Sequence, residues 1–235
     1  MSGHSKWSTI KHKKAAMDAK RGNIFTKLAA GIAVAVKKGG SGDPEINFSL
    51  RLAIERARAA NMPNVNIERA IDRGLGKGDG GELSEFVLEG YGPGGVAIVI
   101  EIVTDNRNRI VAQVNTMLDK AGGSLAEPGS VLYLFSRVGR VDYGGKLKED
   151  DTLELIELGA ADWEEEEQGG VIWTELGKEN DVAKYMMEKG YKKVEVEVMY
   201  KPSLVVEVGE KRKIIENLLE QLEENDDVQG VYANI

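Results

Sequence analysis

Cysteine is absent from the 235 residues, and histidine occurs only twice. The first absence removes disulfide frameworks, thiolate nucleophiles and cysteine zinc sites, and it suits a reducing compartment. The two histidines, His4 and His12, both fall near the start of the chain. The remainder therefore has no histidine for a dyad, a metal cluster or a serine triad. Long apolar runs are missing too. Leu28 to Val36 is alanine-rich and too short to span a bilayer. Its basic lead-in has no convincing cleavage site, which argues against a secretory signal, and the leader is Lys-rich where a mitochondrial presequence would be rich in Arg and Ser. These absences lead us to expect a cytoplasmic protein with no membrane partner, no cofactor and no metal.

Other routes to catalysis also fail. Glu164 to Glu167 are four consecutive carboxylates beside Gly169-Gly170, a pattern that fits a solvated acidic loop better than tuned acid–base chemistry. The glycine-rich GLGKGDGGE, Gly74 to Glu82, lacks the spacing of a phosphate loop and has no strand before it, so it reads as a flexible connector. Gly90, Gly92 and Gly95 resemble a dinucleotide fingerprint only superficially, because a strand follows where a helix N-terminus would be needed. Met186, Met187, Trp163 and Trp173 lie in patterned segments and are expected in the core or at its edge. No catalytic constellation survives, and a non-enzymatic protein is expected.

What the sequence does contain is a charge asymmetry. The first 38 residues carry Lys6, Lys11, Lys13, Lys14, Lys20, Arg21, Lys27, Lys37 and Lys38 against a single acid, Asp18, in a chain whose net charge is −8. Residues 1–78 hold 15 basic and 6 acidic side chains, and residues 79–235 hold 16 and 33. A basic arm on an acidic body suits a polyanionic partner, and nucleic acid offers regularly spaced phosphates whose counterions are released on neutralisation. Lys6, Lys11, Lys13, Lys14, Lys20 and Arg21 can supply about six phosphate contacts, enough to cost roughly a thousandfold in affinity between about 50 and 200 mM salt. Trp7, lying among them, can stack on an unpaired base.

Read in order, the apolar residues Phe25, Leu28, Ile32 and Val36 form one helical stripe that stops at Gly39-Gly40. Asp43-Pro44 is the expected start of a second helix, which carries Leu50, Ile54 and Ala57 to Pro63. A third helix spans Asn64 to Arg73 and ends at Gly74, leaving Arg51, Arg58, Arg69 and Arg73 outward. Beyond the linker the pattern alternates. Strands are expected at 86–91, 96–103, 131–135, 138–143, 161–165, 171–175, 193–200, 204–208 and 228–235. Helices are expected at 106–121 behind an Asp105 cap, at 151–158, at 179–189, and at 210–224 with Ile214, Leu218 and Leu222 inward. Arg107 and Arg109 occupy the first turn of the helix behind Asp105, where cations oppose the dipole and hint at an anionic neighbour. The expected class is α+β: an N-terminal three-helix domain followed by two small α/β sandwiches of ferredoxin-like type. The domains are placed at 1–81, at 82–129 completed by 203–235, and at an inserted 130–202.

The words GHSKWSTIKHKKAAMDAKRGNIFTKL (3–28), LRLAIERARAANMP (50–63), NIERAI (66–71), GYGPGGVAIVIE (90–101), TDNRNR (104–109), GGSLAEPGSV (122–131) and DDVQGVYANI (226–235) strongly resemble the YebC/PmpR family over essentially the whole chain. The resemblance implies a helical N-terminal domain, two α/β domains and a non-enzymatic role in gene expression. Family members are labelled DNA-binding transcriptional regulators, and relatives, a mitochondrial one included, act as translational activators at the ribosome. Val65 stands where the family would place an acid, which touches only a helix start.

The candidate nucleic-acid contacts are therefore Lys6, Trp7, Lys11, His12, Lys13, Lys14, Lys20, Arg21, Lys27, Arg51, Arg58, Arg69, Arg73, Arg107 and Arg109. No helix carries an obvious base-reading set of Arg, Asn and Gln, so sequence-specific readout of a duplex has no support in the residues themselves. An arm with lysines, Trp7 and His12 suits irregular single-stranded RNA at least as well. DNA and ribosomal RNA both remain open as partner, and the acidic domains are the expected contact for ribosomal or transcription proteins.

Overall fold

A computed structural model describes residues 19–77 and 81–235, with residues 19–22 in backbone only. The described part opens with α1 (Ala19–Gly39), α2 (Phe48–Ala59) and α3 (Asn64–Gly74). Their stripes close on Ile32, Val36, Leu50, Ile54, Ala57, Met62, Ile67 and Ala70, with Phe25 and Leu28 packed at the edge. The second helix starts later than Asp43-Pro44 suggests. Asp43 accepts the N–H of Glu45 in a turn, and Asn47 is the cap, accepting the N–H of Leu50 at 3.1 Å. Asn47 prevails because its amide also donates to the carbonyls of Ala35 and Ser41, both at 3.0 Å, tying α1, the connecting loop and α2 to one buried side chain. Gly74 is the last residue of α3 and lies against α1. A Cβ there would meet Val36 Cβ at 2.6 Å and the Ala33 carbonyl at 2.7 Å.

The chain continues through β1 (Ser84–Tyr91), β2 (Ala97–Thr104), α4 (Arg107–Ala121) and β3 (Ser124–Leu125). It then forms β4 (Phe135–Gly144), α5 (Glu149–Glu157), β5 (Ala160–Glu166), β6 (Gly169–Thr174), α6 (Glu179–Glu188) and β7 (Lys192–Pro202). It closes with α7 (Arg212–Glu223) and β8 (Val228–Ala233). Two compact units result. One holds the described residues up to Ser136 together with Pro202–Ile235, and the other is Arg137–Lys201.

In the first unit the strand order is β3-β1-β2-β8, with all three pairings antiparallel and a register shift between Glu101 and Ile102. Ile98, Ile100 and Ile102 alternate onto one face of β2 and meet Ile110, Val114 and Leu118 of α4 and Ile215, Leu218, Leu219 and Leu222 of α7. The inward residue of α7 is thus Ile215 rather than Ile214, which is half exposed. Asn106, not Asp105, caps α4 by accepting the N–H of Arg109 at 3.1 Å, and Gly122 ends that helix in a left-handed conformation. In the second unit the order is β5-β6-β4-β7, which with its β-α-β-β-α-β sequence is the ferredoxin-like arrangement.

Two expected strands are replaced. Residues 131–135 form a 3-10 turn at Leu132–Leu134 before β4 begins. The cause is Glu89, whose carboxylate accepts the N–H groups of Gly129, Val131 and Leu132 at 2.6–2.7 Å and so takes the donors a strand would need. Residues 204–208 join no ladder, although the N–H of Val206 bonds the carbonyl of Asn234 at 2.7 Å, and Val208 already has helical backbone angles. The fourth place in the first sheet goes instead to the short β3.

Candidate nucleic-acid interface

The arm residues Lys6, Trp7, Lys11, His12, Lys13 and Lys14 lie outside the described residues, and Lys20 and Arg21 enter the first turn of α1 through their backbone alone. The other candidates divide into cations that are engaged within the fold and cations left to solvent.

Lys27 belongs to the first group. Its ammonium donates to the carbonyl of Glu223, and the neighbouring Asn23 amide donates to that of Glu224. These carbonyls close α7, where helix groups lack internal partners and the dipole favours a cation, so α1 supplies the cap that α7's own sequence lacks. Arg51 is spent on the loop before α2, donating to the carbonyls of Pro44 and Glu45 at 3.1 Å. Arg107 lies 4.2 Å above the ring of Phe86.

Arg73 and Arg109 are brought together although 36 residues separate them in the sequence. Each reaches Asp105 at 3.2 Å, and Arg109 also reaches Asp227 at 2.8 Å. The bond to Asp227, followed by the charges of Asp227 and Asp105, holds the Arg109 guanidinium even more firmly in its charged form. For Arg109, one of the two cations in the first turn of α4, the anionic neighbour is thus intramolecular, whereas Arg107 meets the Phe86 ring. The chain Arg73–Asp105–Arg109–Asp227 runs along a cleft of about 540 Å³ that Thr26 and Glu224 also line. Within it the Nε of Arg73 is buried without a partner among the described residues.

Arg58 and Arg69 form the second group, exposed and without an ion pair among the described residues. Two cations that helical spacing did not single out, Arg56 and Lys77, share that property. Lys37 and Lys38, in contrast, end α1 in pairs with Glu82 at 2.9 Å and Glu85 at 2.6 Å. The hydrogen bond from Lys37 holds the Glu82 carboxyl below its ordinary range. The exposed surface of α3 is mixed in sign, with Glu68 and Asp72 beside Arg69.

Among the described residues no group of three or more His, Cys, Asp or Glu side chains is placed to hold a metal ion, and no helix is long and apolar enough to cross a membrane. Outside the interface, Asp151 centres a buried polar cluster. It is 3% exposed and accepts from the hydroxyls of Tyr185 at 2.9 Å and Tyr191 at 2.8 Å. No sequence spacing signalled that cluster.

Comparison with known proteins extends over the same regions. Residues 5–77 match the family model described as the TACO1/YebC protein N-terminal domain, and residues 83–235 match TACO1/YebC second and third domain. A probable transcriptional regulatory protein of Chloroflexus aggregans is 47% identical over all of this chain and 95% of its own length. One from Thermoanaerobacter pseudethanolicus is 46% identical over all of this chain and 97% of its own. The crystal structure of a conserved hypothetical protein from Aquifex aeolicus superposes with a TM-score of 0.84 at 42% identity, covering 98% of this chain and 96% of that one. With both family models matched in succession and full-length relatives near half identity, the chain belongs to the TACO1/YebC family.

Proposed function

We propose that this protein is a non-enzymatic, nucleic-acid-binding regulator of gene expression that acts in the cytoplasm, and in the first instance a DNA-binding transcriptional regulator. The observation that carries the reading is the division of charge, 15 basic against 6 acidic side chains in residues 1–78 and 16 against 33 beyond. A chain so divided attracts phosphodiester to its first segment, while the rest is net repulsive toward it. The names of the relatives, probable transcriptional regulatory proteins, support the regulatory part. In this reading Lys6, Lys11, Lys13, Lys14, Lys20 and Arg21 neutralise phosphates, Trp7 and His12 contact bases, and the exposed Arg58 and Arg69 extend the footprint onto the helical region.

A second reading, a ribosome-associated translational activator that binds ribosomal RNA, draws on a particular feature of α3. A helix that reads the major groove presents donors along its outer surface. Here Glu68 and Asp72 flank Arg69 on that surface, and Arg73 is paired with Asp105. Binding through an arm and scattered cations fits folded RNA as well as duplex.

Crosslinking in cells followed by sequencing of the bound nucleic acid separates the two. Enrichment at promoters supports transcription, and enrichment in ribosomal RNA supports translation. Replacing Lys11, Lys13 and Lys14 with Glu is expected to abolish either signal while the acidic regions stay folded. Undiminished crosslinking of that variant to both DNA and ribosomal RNA refutes nucleic-acid binding through the arm.

A further inference from the structure

The unit Arg137–Lys201 carries an apolar surface that its own core does not use. On α5, Asp151 and Leu155 point inward, whereas Leu153 and Ile156 stand 72% and 51% exposed. Three residues apart, those two side chains are neighbours on the helix surface. Leu176 is also 51% exposed and lies in the turn after β6. The N–H of Glu175 in that turn bonds the carbonyl of Gly159 at 3.0 Å, just past the C-cap of α5, which places the turn at the same end of the unit. The exposed charges on α5 are Glu149, Asp150, Glu154 and Glu157, all of one sign and none in an ion pair among the described residues.

We propose that this face of α5 is a docking site for a cationic amphipathic segment of a partner protein. Leucine-type side chains of the partner would cover Leu153, Ile156 and Leu176, and its lysines or arginines would meet Glu149, Asp150, Glu154 and Glu157. The chemistry selects this occupant over the others. Nucleic acid is repelled by four carboxylates, and a second copy packing the same face about a two-fold axis would set those carboxylates against themselves. A helix with apolar anchors at three- and four-residue spacing and a basic flank satisfies both halves of the surface, as in helix-in-groove recognition. The inference is independent of the nucleic-acid reading, since it concerns a different unit and the opposite charge.

The test uses the full-length protein and a fluorescent synthetic peptide of about 18 residues, long enough to hold a helix. Leucines form one face of the peptide and lysines the rest, and a scrambled peptide of equal composition serves as control. The expected result is saturable binding of the patterned peptide. Leu153→Ser combined with Ile156→Ser should weaken it at least about tenfold, the scale set by removing two apolar anchors. Ile214→Ser, an equally exposed site on α7, should leave binding unchanged. Circular dichroism checks that the variants remain folded, which is expected because every substituted side chain faces solvent. The proposal is overturned if the wild type does not bind the patterned peptide, if the scrambled peptide binds as tightly, or if the double variant binds like the wild type. It is also overturned if the double variant loses affinity for nucleic acid, or if sedimentation shows wild-type dimers that the double variant cannot form.

Discussion

Arg109 and Asp227 stand 118 positions apart in the sequence and meet at 2.8 Å, joining the first turn of α4 to the segment that leads into β8. Asp227 is the more enclosed partner, with 18% of its side chain exposed, and its backbone carbonyl accepts the N–H of Val103 at 2.9 Å. The pair therefore fastens the segment before β8 to α4, the backbone bond ties the same segment to β2, and through Asp105 the pair reaches Arg73 of α3. Because Arg109 is nearly half exposed, the pairwise term should be modest. A double-mutant cycle of Arg109→Ala and Asp227→Ala, read by urea unfolding, is expected to give a small favourable coupling that shrinks in about 1 M salt. A coupling indistinguishable from zero at low salt would remove the pair from the account of how these segments hold together.

Glu89 is a stronger case, at 6% exposure with three backbone N–H donors on one carboxylate. Burial pushes its pKa up, and the bonds from Gly129, Val131 and Leu132 outweigh that push, leaving it below the ordinary 4.5. A depressed carboxyl pKa contributes stability that is present above the unfolded value and is lost as pH falls through the folded one. Glu89→Gln keeps the shape, removes the charge and turns an amide donor toward other donors. Its expected cost is about 2–3 kcal/mol at neutral pH. The gap to wild type should close as the pH falls below the ordinary carboxylate range and through the lowered native value, where the native carboxyl becomes protonated. An acid limb parallel to that of wild type would show that Glu89 does not titrate with folding.

The same residue explains part of what the sequence did and did not reveal. Periodicity exposed the strongest elements, because Ile98, Ile100 and Ile102 on β2 and Ile110, Val114 and Leu118 on α4 are spaced by the geometry of strand and helix alone. Residues 131–135 have the composition of a strand as well, yet their donors go to a carboxylate some 40 positions away, which no local pattern records. Asp43 and Asn47 are both good cap types, and the choice between them rests on the bonds of Asn47 to Ala35 and Ser41. Residues 214 and 215 both suit an apolar stripe, and only the docking of α7 on the sheet distinguishes them. In the interface, the sign and placement of charge were legible by counting. The pairing of Arg73 with Asp105, of Arg109 with Asp227 and of Lys27 with a backbone carbonyl was not, since those partners lie across the fold, whereas Asp105 is only four residues from Arg109.

Asp151 should anchor the second unit on its own. Burial raises its pKa, but the hydroxyls of Tyr191 and Tyr185 and the ammonium of Lys189 at 3.4 Å more than compensate, and the carboxyl stays below its ordinary value. Asp151→Asn is expected to cost about 2–3 kcal/mol, and Tyr185→Phe and Tyr191→Phe about 1 kcal/mol each. Hydrogen exchange should show the loss of protection confined to Arg137–Lys201, with amides of β1 and β2 unaffected. Equal loss in both units would mean that the cluster supports the whole chain rather than its own unit.

Gly74 reads in the sequence as a helix stop, but its surroundings assign it a packing role against α1. Its φ is not in the left-handed range, so conformational freedom is not what selects glycine there. The missing side chain is: a methyl group would sit 2.6 Å from Val36 Cβ and 2.7 Å from the carbonyl of Ala33. Gly74→Ala is expected to destabilise the helical region by about 1–3 kcal/mol, the usual cost of overpacking, despite alanine's better helix propensity. Gly31, with nothing within 4 Å of its added Cβ, is the control, and there alanine should stabilise α1 slightly. Thermal melts followed at 222 nm would reverse the argument if the two substitutions behaved alike.

The exposed arginines permit a test of the interface that does not depend on the arm. Arg69 is free of ion pairs among the described residues, whereas Arg109 already holds two aspartates. A cation that neutralises a phosphate lowers the magnitude of the slope of log affinity against log salt by about one when it is removed. Arg69→Ala should therefore reduce that slope by about one, alike for duplex DNA and for structured RNA, because a phosphate contact carries no base information. Arg109→Ala should leave the slope unchanged, since its charge is already neutralised by Asp105 and Asp227. Arg58→Ala should behave as Arg69→Ala does, and combining the two should reduce the slope by about two. Fluorescence anisotropy from about 50 to 200 mM salt spans the range in which these differences are largest. A slope that responds to Arg109 and ignores Arg69 would move the phosphate track off the outer surface of α3 and into the cleft along Asp105.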